Sequence, residues 1–356
     1  MRHIASGVCS RSGCCAAPCS SIKELNDNAF SRRCVLQFNR RQILRAGAAS
    51  VLLPAAAYAA PQWPERAIRI VVGFAPGGQT DIFARTYGEF IGKQTGASVV
   101  VENKTGALGA LAATEVKRSA ADGYTLLFNT SGAMTVNRVL IKDLAYDTDR
   151  DFELVAAMPT GGLPMFASSK LGVKTLGEFV QYAKSAPRVS LGTFGVGSPG
   201  HLTIIELNKQ YDLKIEPVHY RGEAPMFTDI VGQVIDGGIG SYIGAQSVLQ
   251  SGAGVAIAVP RKRLTVLPDV KTFKEQGATA PLFDLTTYQC CAVPKGTPQE
   301  VIERLSQILV QGGKSEKALE MFKMFGIDEG AMDLAATRAL YARESPVWID
   351  LASKIS

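Results

Sequence analysis

Histidine is nearly missing from this chain of 356 residues: there are three, and one of them, His3, lies at the very start. No H-E-x-x-H, no paired C-x-x-C and no EF-hand loop occurs, so the sequence offers no metal site of a familiar pattern. No G-x-S-x-G turn and no glycine loop ending in G-K-[ST] is present, which removes the hydrolase elbow and the nucleotide P-loop. Beyond residue 59 no apolar run is long enough to span a bilayer. Of the seven cysteines only Cys290 and Cys291 lie past that point, too few for a disulfide scaffold. Their setting reads as a strand, so we expect buried free thiols on opposite faces.

An excess of charge is also missing where it would matter. The whole chain is formally +6, but eight of its 38 basic and two of its 32 acidic residues fall within residues 1–59. The remainder is formally neutral, which gives no support for nucleic-acid binding.

Residues 39–64 read as an export signal. Arg40-Arg41 precedes a short alanine-rich run, Ala46–Ala56, and Ala57-Tyr58-Ala59 has the small-residue pattern of a cleavage site. Paired arginines before a weakly apolar segment point to the twin-arginine route, with cleavage near Ala59. Cys9, Cys14, Cys15, Cys19 and Cys34 lie upstream with no zinc spacing, and residues 1–59 are treated as presequence outside the fold.

What is present is an alternation of strand-like and helical runs from Ile68 onward, ending in a helical tail, which predicts an α/β fold with mostly parallel sheets. The most informative stretch joins the apolar run Ile68–Phe74 to a helix beginning near Thr80-Asp81 through Ala75-Pro76-Gly77-Gly78. Strand, glycine turn and helix start form an anion seat: the first helical amides have no intrahelical partner, and the peptide dipoles favour negative charge there.

Two further glycine loops open helices: Glu102–Ala107 and Gly195-Val196-Gly197-Ser198-Pro199-Gly200-His201. The second fits G-x-G-x-x-G, but it lies mid-chain and Pro199 removes an amide that a pyrophosphate would need. A dinucleotide site is therefore set aside, and no cofactor is expected.

Several of these blocks resemble one family. Phe74-Ala75-Pro76-Gly77-Gly78-Gln79-Thr80-Asp81 is similar to the FAPGGxxD signature of the Bug family, the substrate-binding receptors of tripartite tricarboxylate transporters. Val99–Ala107 resembles its VVVENRPGA block and Asp122–Leu127 its DGYTLL. His219-Tyr220-Arg221-Gly222 with Ala224-Pro225 resembles its PYKGxAP turn. Leu267–Val270 and Pro294–Pro298 resemble its LPDVPT and PAGTP blocks. The likeness runs in order through Trp63–Ser356.

The resemblance implies a type II periplasmic-binding-protein-like fold: two lobes with mixed, mostly parallel sheets and a hinge of two crossover strands. Lobe 1 is expected at 60–160 plus 260–356 and lobe 2 at 161–259, with crossovers near 156–166 and 256–261. It implies a periplasmic, monomeric receptor without catalysis, binding a di- or tricarboxylate or an aromatic carboxylate for permease subunits. A ligand sensor for a signalling partner is the alternative, and a secreted hydrolase a remote one. The residues carried over as ligand-binding are Pro76, Gly77, Gly78, Thr80, Asp81, Asn103, Gly106, Thr130, Ser131, Gly197, Ser198, His201 and Ser241. The chain departs from the family pattern at Gly240, where an acid is common, and at Tyr288, where a tryptophan is common. A larger, less polar pocket is expected from those departures.

Overall fold

Strand β1, Ile68–Val72, sets the pattern for the whole molecule. Ile68, Ile70 and Val72 enter one apolar cluster and Val71 another on the opposite face of the sheet, as period-two alternation requires of a strand covered on both sides. The protein was analysed as a computed structural model that describes residues 63–355. The export-signal reading and the five early cysteines lie outside the described residues. Residues 63–355 belong to one compact unit.

Among the described residues nine more strands follow: β2 Val99–Asn103, β3 Thr125–Thr130, β4 Phe152–Pro159, β5 Met165–Ser168, β6 Val189–Thr193, β7 Ile215–His219, β8 Gly237–Ile239, β9 Gly254–Ala258 and β10 Tyr288–Pro294. They form two five-stranded sheets, ordered β2-β1-β3-β10-β4 and β7-β6-β8-β5-β9. β1, β2 and β3 run parallel, and β10 is antiparallel to β3 and β4. In the second sheet β6 is parallel to β7 and β8, and β5 is antiparallel to β8 and β9. The two-lobed, mixed and mostly parallel architecture is the one expected.

The chain first passes from one sheet to the other between Pro159 and Met165. The second crossing does not follow the sequence expectation. After β9 the chain stays with the second lobe: Phe273, Ala278 and Phe283 join its core, and the rings of Phe273 and Phe283 stack at 4.5 Å. Residues 260–285, assigned to lobe 1 from sequence, therefore supply lobe 2 with buried aromatic surface, worth about 2 kcal/mol or more per ring. The passage to the first sheet falls at 285–288. There Thr160 N donates to Thr287 O at 3.0 Å, which ties the two crossings together.

Cys290 and Cys291 are free and fully buried. Burial pushes the Cys290 thiol up to about 12, and the Cys291 thiol is raised as well. Burial therefore disfavours the thiolate a nucleophile needs.

Candidate functional site

The turn after β1 is held by one side chain. Asp81, buried in the first turn of the helix Gln79–Thr95, accepts from Gly77 N at 2.9 Å, from Arg85 Nε at 2.9 Å and from Asn103 Nδ2 at 2.9 Å. Asn103 also donates to Phe74 O. Burial opposes ionisation of Asp81, but the hydrogen bonds from Arg85, Gly77 and Asn103 outweigh it and hold the carboxyl below its ordinary range. Asp81 and Asn103, expected as ligand contacts, are thus occupied with shaping the loop.

That framing leaves the helix start open. Among the described residues the amides of Gln79, Thr80 and Asp81 have no acceptor, and Ile82 N is the first to be satisfied, by Gly78 O. Gly77 is left-handed (φ +78), which favours glycine. Gly78 is not (φ −76), and a Cβ there would meet only Ala75 O, at 3.3 Å. Pro76, Gly77 and Gly78 are exposed.

Two more loops border this seat, and Asn129 joins them. Its side chain is fully buried; it donates to Gly109 O at 3.0 Å and accepts from Thr130 N. A Cβ on Gly73 or Gly109 would lie within 2.7 Å of Asn129 Oδ1, so both positions must be bare. Between them Gly106 has φ +139, and Ala107 and Leu108 are both left-handed at φ 46 and φ 52. Such strain costs on the order of 1 kcal/mol or more per residue and collects at ligand clamps. Thr130 caps the short helix Ser131–Met134 by accepting from Ala133 N, and Ser131 Oγ accepts from Tyr288 N.

Gln289 lies at the same end of the sheet. It is buried, pairs in register with Thr130, and contacts Gln79 through Nε2, while its Oε1 has no partner. Nothing local in the sequence pointed to Asn129 or Gln289, because their partners lie far away along the chain.

The second lobe contributes the loop before the helix Pro199–Tyr211. Ser198 caps that helix by accepting from His201 N, and His201 Nδ1 accepts from Gly197 N at 3.1 Å. Pro199 has no amide, which leaves Gly200 as the free donor of that first turn, against three at Gln79–Asp81. Gly197 is left-handed (φ +73), and a Cβ on it would fall 1.9 Å from Leu140 Cδ1 of the first lobe. Its amide serves His201 and its bare Cα serves packing between the lobes.

Ser241 is also engaged. Its N donates to Glu223 Oε1 at 2.8 Å, its hydroxyl donates to Glu223 Oε2, and Gly244 N donates to its Oγ at 3.2 Å. An acid from elsewhere in the chain, Glu223, thus lies against Ser241. Gly240 has no room for a side chain, since a Cβ would meet Phe227 at 2.8 Å. Burial pushes the Glu223 carboxyl up, partly offset by its bonds to Ser241. Tyr288 is buried in the core with Leu127 and Leu154, so its replacement of a tryptophan opens no pocket at the surface.

Among the described residues there is no cluster of three His, Cys, Asp or Glu that could hold a metal, and no helix is long and apolar enough to cross a membrane.

Known proteins share this architecture. The family described as "Tripartite tricarboxylate transporter family receptor" matches residues 83–355. An Agrobacterium vitis protein, named only as a UPF0065 protein from an intergenic region, is 33% identical over 308 residues, covering 86% of this chain and 88% of that one. The solved structure of the periplasmic binding protein BugD is 30% identical, with a TM-score of 0.69, covering 82% of this chain and 98% of that one. R. palustris Rpa4515, solved with adipate, is 27% identical with a TM-score of 0.73, again covering 82% and 98%.

Proposed function

Because this chain belongs to the tripartite tricarboxylate transporter receptor family, we propose that it binds a small carboxylated solute in the periplasm and delivers it to the membrane subunits of such a transporter. Members of the family are solute-binding receptors and not enzymes. One observation carries the carboxylate reading: three amides, of Gln79, Thr80 and Asp81, stand unpartnered at a helix start whose own acid is turned away into the loop. A carboxylate placed there gains charge-assisted hydrogen bonds and a favourable dipole. The adipate held by Rpa4515 supports the same ligand class.

Residues 76–81, 103–106, 130–131 and 197–201 form the two facing walls in this reading, with Ser241 beside the second. Export by the twin-arginine route follows from Arg40-Arg41 and the alanine-rich run after it. Solute binding favours the conformation in which both walls touch it, by no more than its difference in affinity between open and closed forms. Calorimetry with adipate, citrate and benzoate tests the proposal. We expect at least one of them to bind with a one-to-one stoichiometry and to be recovered unchanged. Absence of binding by all three, or turnover of any, contradicts it.

A further inference from the structure

His201 and His219 are the two histidines in the described part of the chain, and they meet. Their rings stand edge to face with centroids 4.6 Å apart. His219 ends β7, directly opposite Thr193 at the end of β6, and His201 lies in the first turn of the helix that follows β6. Gly195, in the loop between β6 and that helix, comes within 4.0 Å of Leu108 Cδ2 of the first lobe, measured from where its Cβ would stand. The loop beside the pair therefore borders the 106–109 loop of the first lobe.

The two rings have different tasks. His201 is buried and its Nδ1 accepts the Gly197 amide, so its proton is on Nε2. His219 is exposed. Its Nδ1 lies 2.8 Å from Thr193 Oγ1, and the same hydroxyl lies 3.3 Å from Gly195 O, a second acceptor for its proton. In the tautomer in which the Thr193 proton goes to Gly195 O, His219 Nδ1 is the donor of that bond and Nε2 of the neutral ring is a bare lone pair. A lone pair repels a carboxylate. A second proton turns the same atom into a cationic donor.

We propose that His219, backed by His201, is a second anion seat that works only when protonated, so that the favoured solute is a diacid whose second carboxylate brings a proton into the complex. This deepens the carboxylate reading above and rests on it. Burial, and for His201 the neighbouring ring, hold both histidines below their ordinary value in the empty protein; a bound carboxylate reverses that direction for His219. Other charged groups on surrounding elements are mostly committed: Glu223 to Ser241, and Arg138 of the first lobe to Asp147 and Asp149. Glu206 lies further along the helix of His201, and Arg221 follows His219 by two residues and adds a fixed positive charge.

The test is calorimetry on the full chain with adipate and with hexanoate, its one-carboxylate counterpart, at pH 6 and pH 8, both above the carboxylate range. If bound adipate raises one histidine by about one pKa unit, adipate binds about fivefold tighter at pH 6 than at pH 8 and takes up a fraction of a proton. Hexanoate shows no such difference, and His219→Gln removes the difference for adipate. Imidazole proton NMR of the unmutated chain reads the same event without a variant: one histidine titrates at higher pH when adipate is bound. Equal adipate affinity at both pH values, the same slope with hexanoate, a slope retained in His219→Gln, or unchanged histidine titration overturns the proposal. Binding of neither acid at either pH overturns the carboxylate reading itself, whereas binding without a slope removes only the histidine seat.

Discussion

Thr160 and Thr287, 127 residues apart in sequence, bridge the two crossings between the lobes by paired hydroxyls at 2.8 Å, beside the backbone bond from Thr160 N to Thr287 O. The Thr160 hydroxyl also reaches Thr287 O at 3.1 Å. Thr160 is buried and Thr287 only partly so. The hinge is thus a short two-strand ribbon joined at one place, beside a cavity of about 20 Å³ lined by Gly161, Gly162, Pro260 and Glu329, room for about one water.

The ribbon predicts an order of costs. Thr160→Val should lower stability by about 1 kcal/mol, because a buried hydroxyl with two partners is lost. Thr287→Val should cost less, since Thr160 keeps the Thr287 carbonyl. Urea unfolding with an unchanged slope checks the order; a larger loss at Thr287 would contradict it.

Gly78→Val should leave the fold intact and remove carboxylate binding. Its backbone is extended, so a side chain is tolerated locally, and it directly precedes the unpartnered amides of Gln79 and Thr80. Loss of more than about tenfold in affinity, or about 1.4 kcal/mol, is expected by calorimetry. Unchanged affinity would displace the seat from this helix start.

Asp81→Asn should cost about 1–3 kcal/mol, because the buried bonds from Arg85 and Gly77 lose their charged acceptor. The folded carboxyl lies below its ordinary value of 3.8, so its contribution is present above that pH and is lost as pH falls through and below it. The stability gap between wild type and Asp81→Asn should therefore be full at pH 7 and shrink below pH 4. A gap that grows on acidification would reverse the assignment.

Gly197→Ala should be destabilising twice over. It adds a Cβ 1.9 Å from Leu140 Cδ1 and places a side chain at φ +73. We expect a loss of about 1–3 kcal/mol. Leu140→Ala in the same chain should return the packing part but not the backbone part. A double variant no better than the sum of its single changes would show that Leu140 is not the obstacle.

The local parts of this molecule were readable in the sequence. The β1 run, the Pro76–Gly78 turn and the start of the helix at Gln79 follow from alternation, glycine and an acidic first turn, all within a dozen residues. The roles of the site residues were less readable, since they depend on what each group touches. Asp81 and Asn103 turn to each other, Ser241 turns to Glu223 across 18 positions, and the Gly197 amide turns to His201. Asn129 fills the space that Gly73 and Gly109 leave bare, and Gln289 meets Gln79 across 210 positions; no periodicity records such pairs. The second crossing was placed too early because Val259-Pro260-Arg261 ends a strand as a crossover would, while the stack of Phe273 on Phe283 that keeps 260–285 with the second lobe is a tertiary event.

The seating of a carboxylate on the helix start is tested most directly by amide NMR during titration with adipate. The account predicts that the backbone amides of Gln79, Thr80 and Asp81 move downfield together and saturate at one equivalent, while Gly77, already bonded to Asp81, moves little. Saturable binding that leaves those three amides unmoved would contradict it.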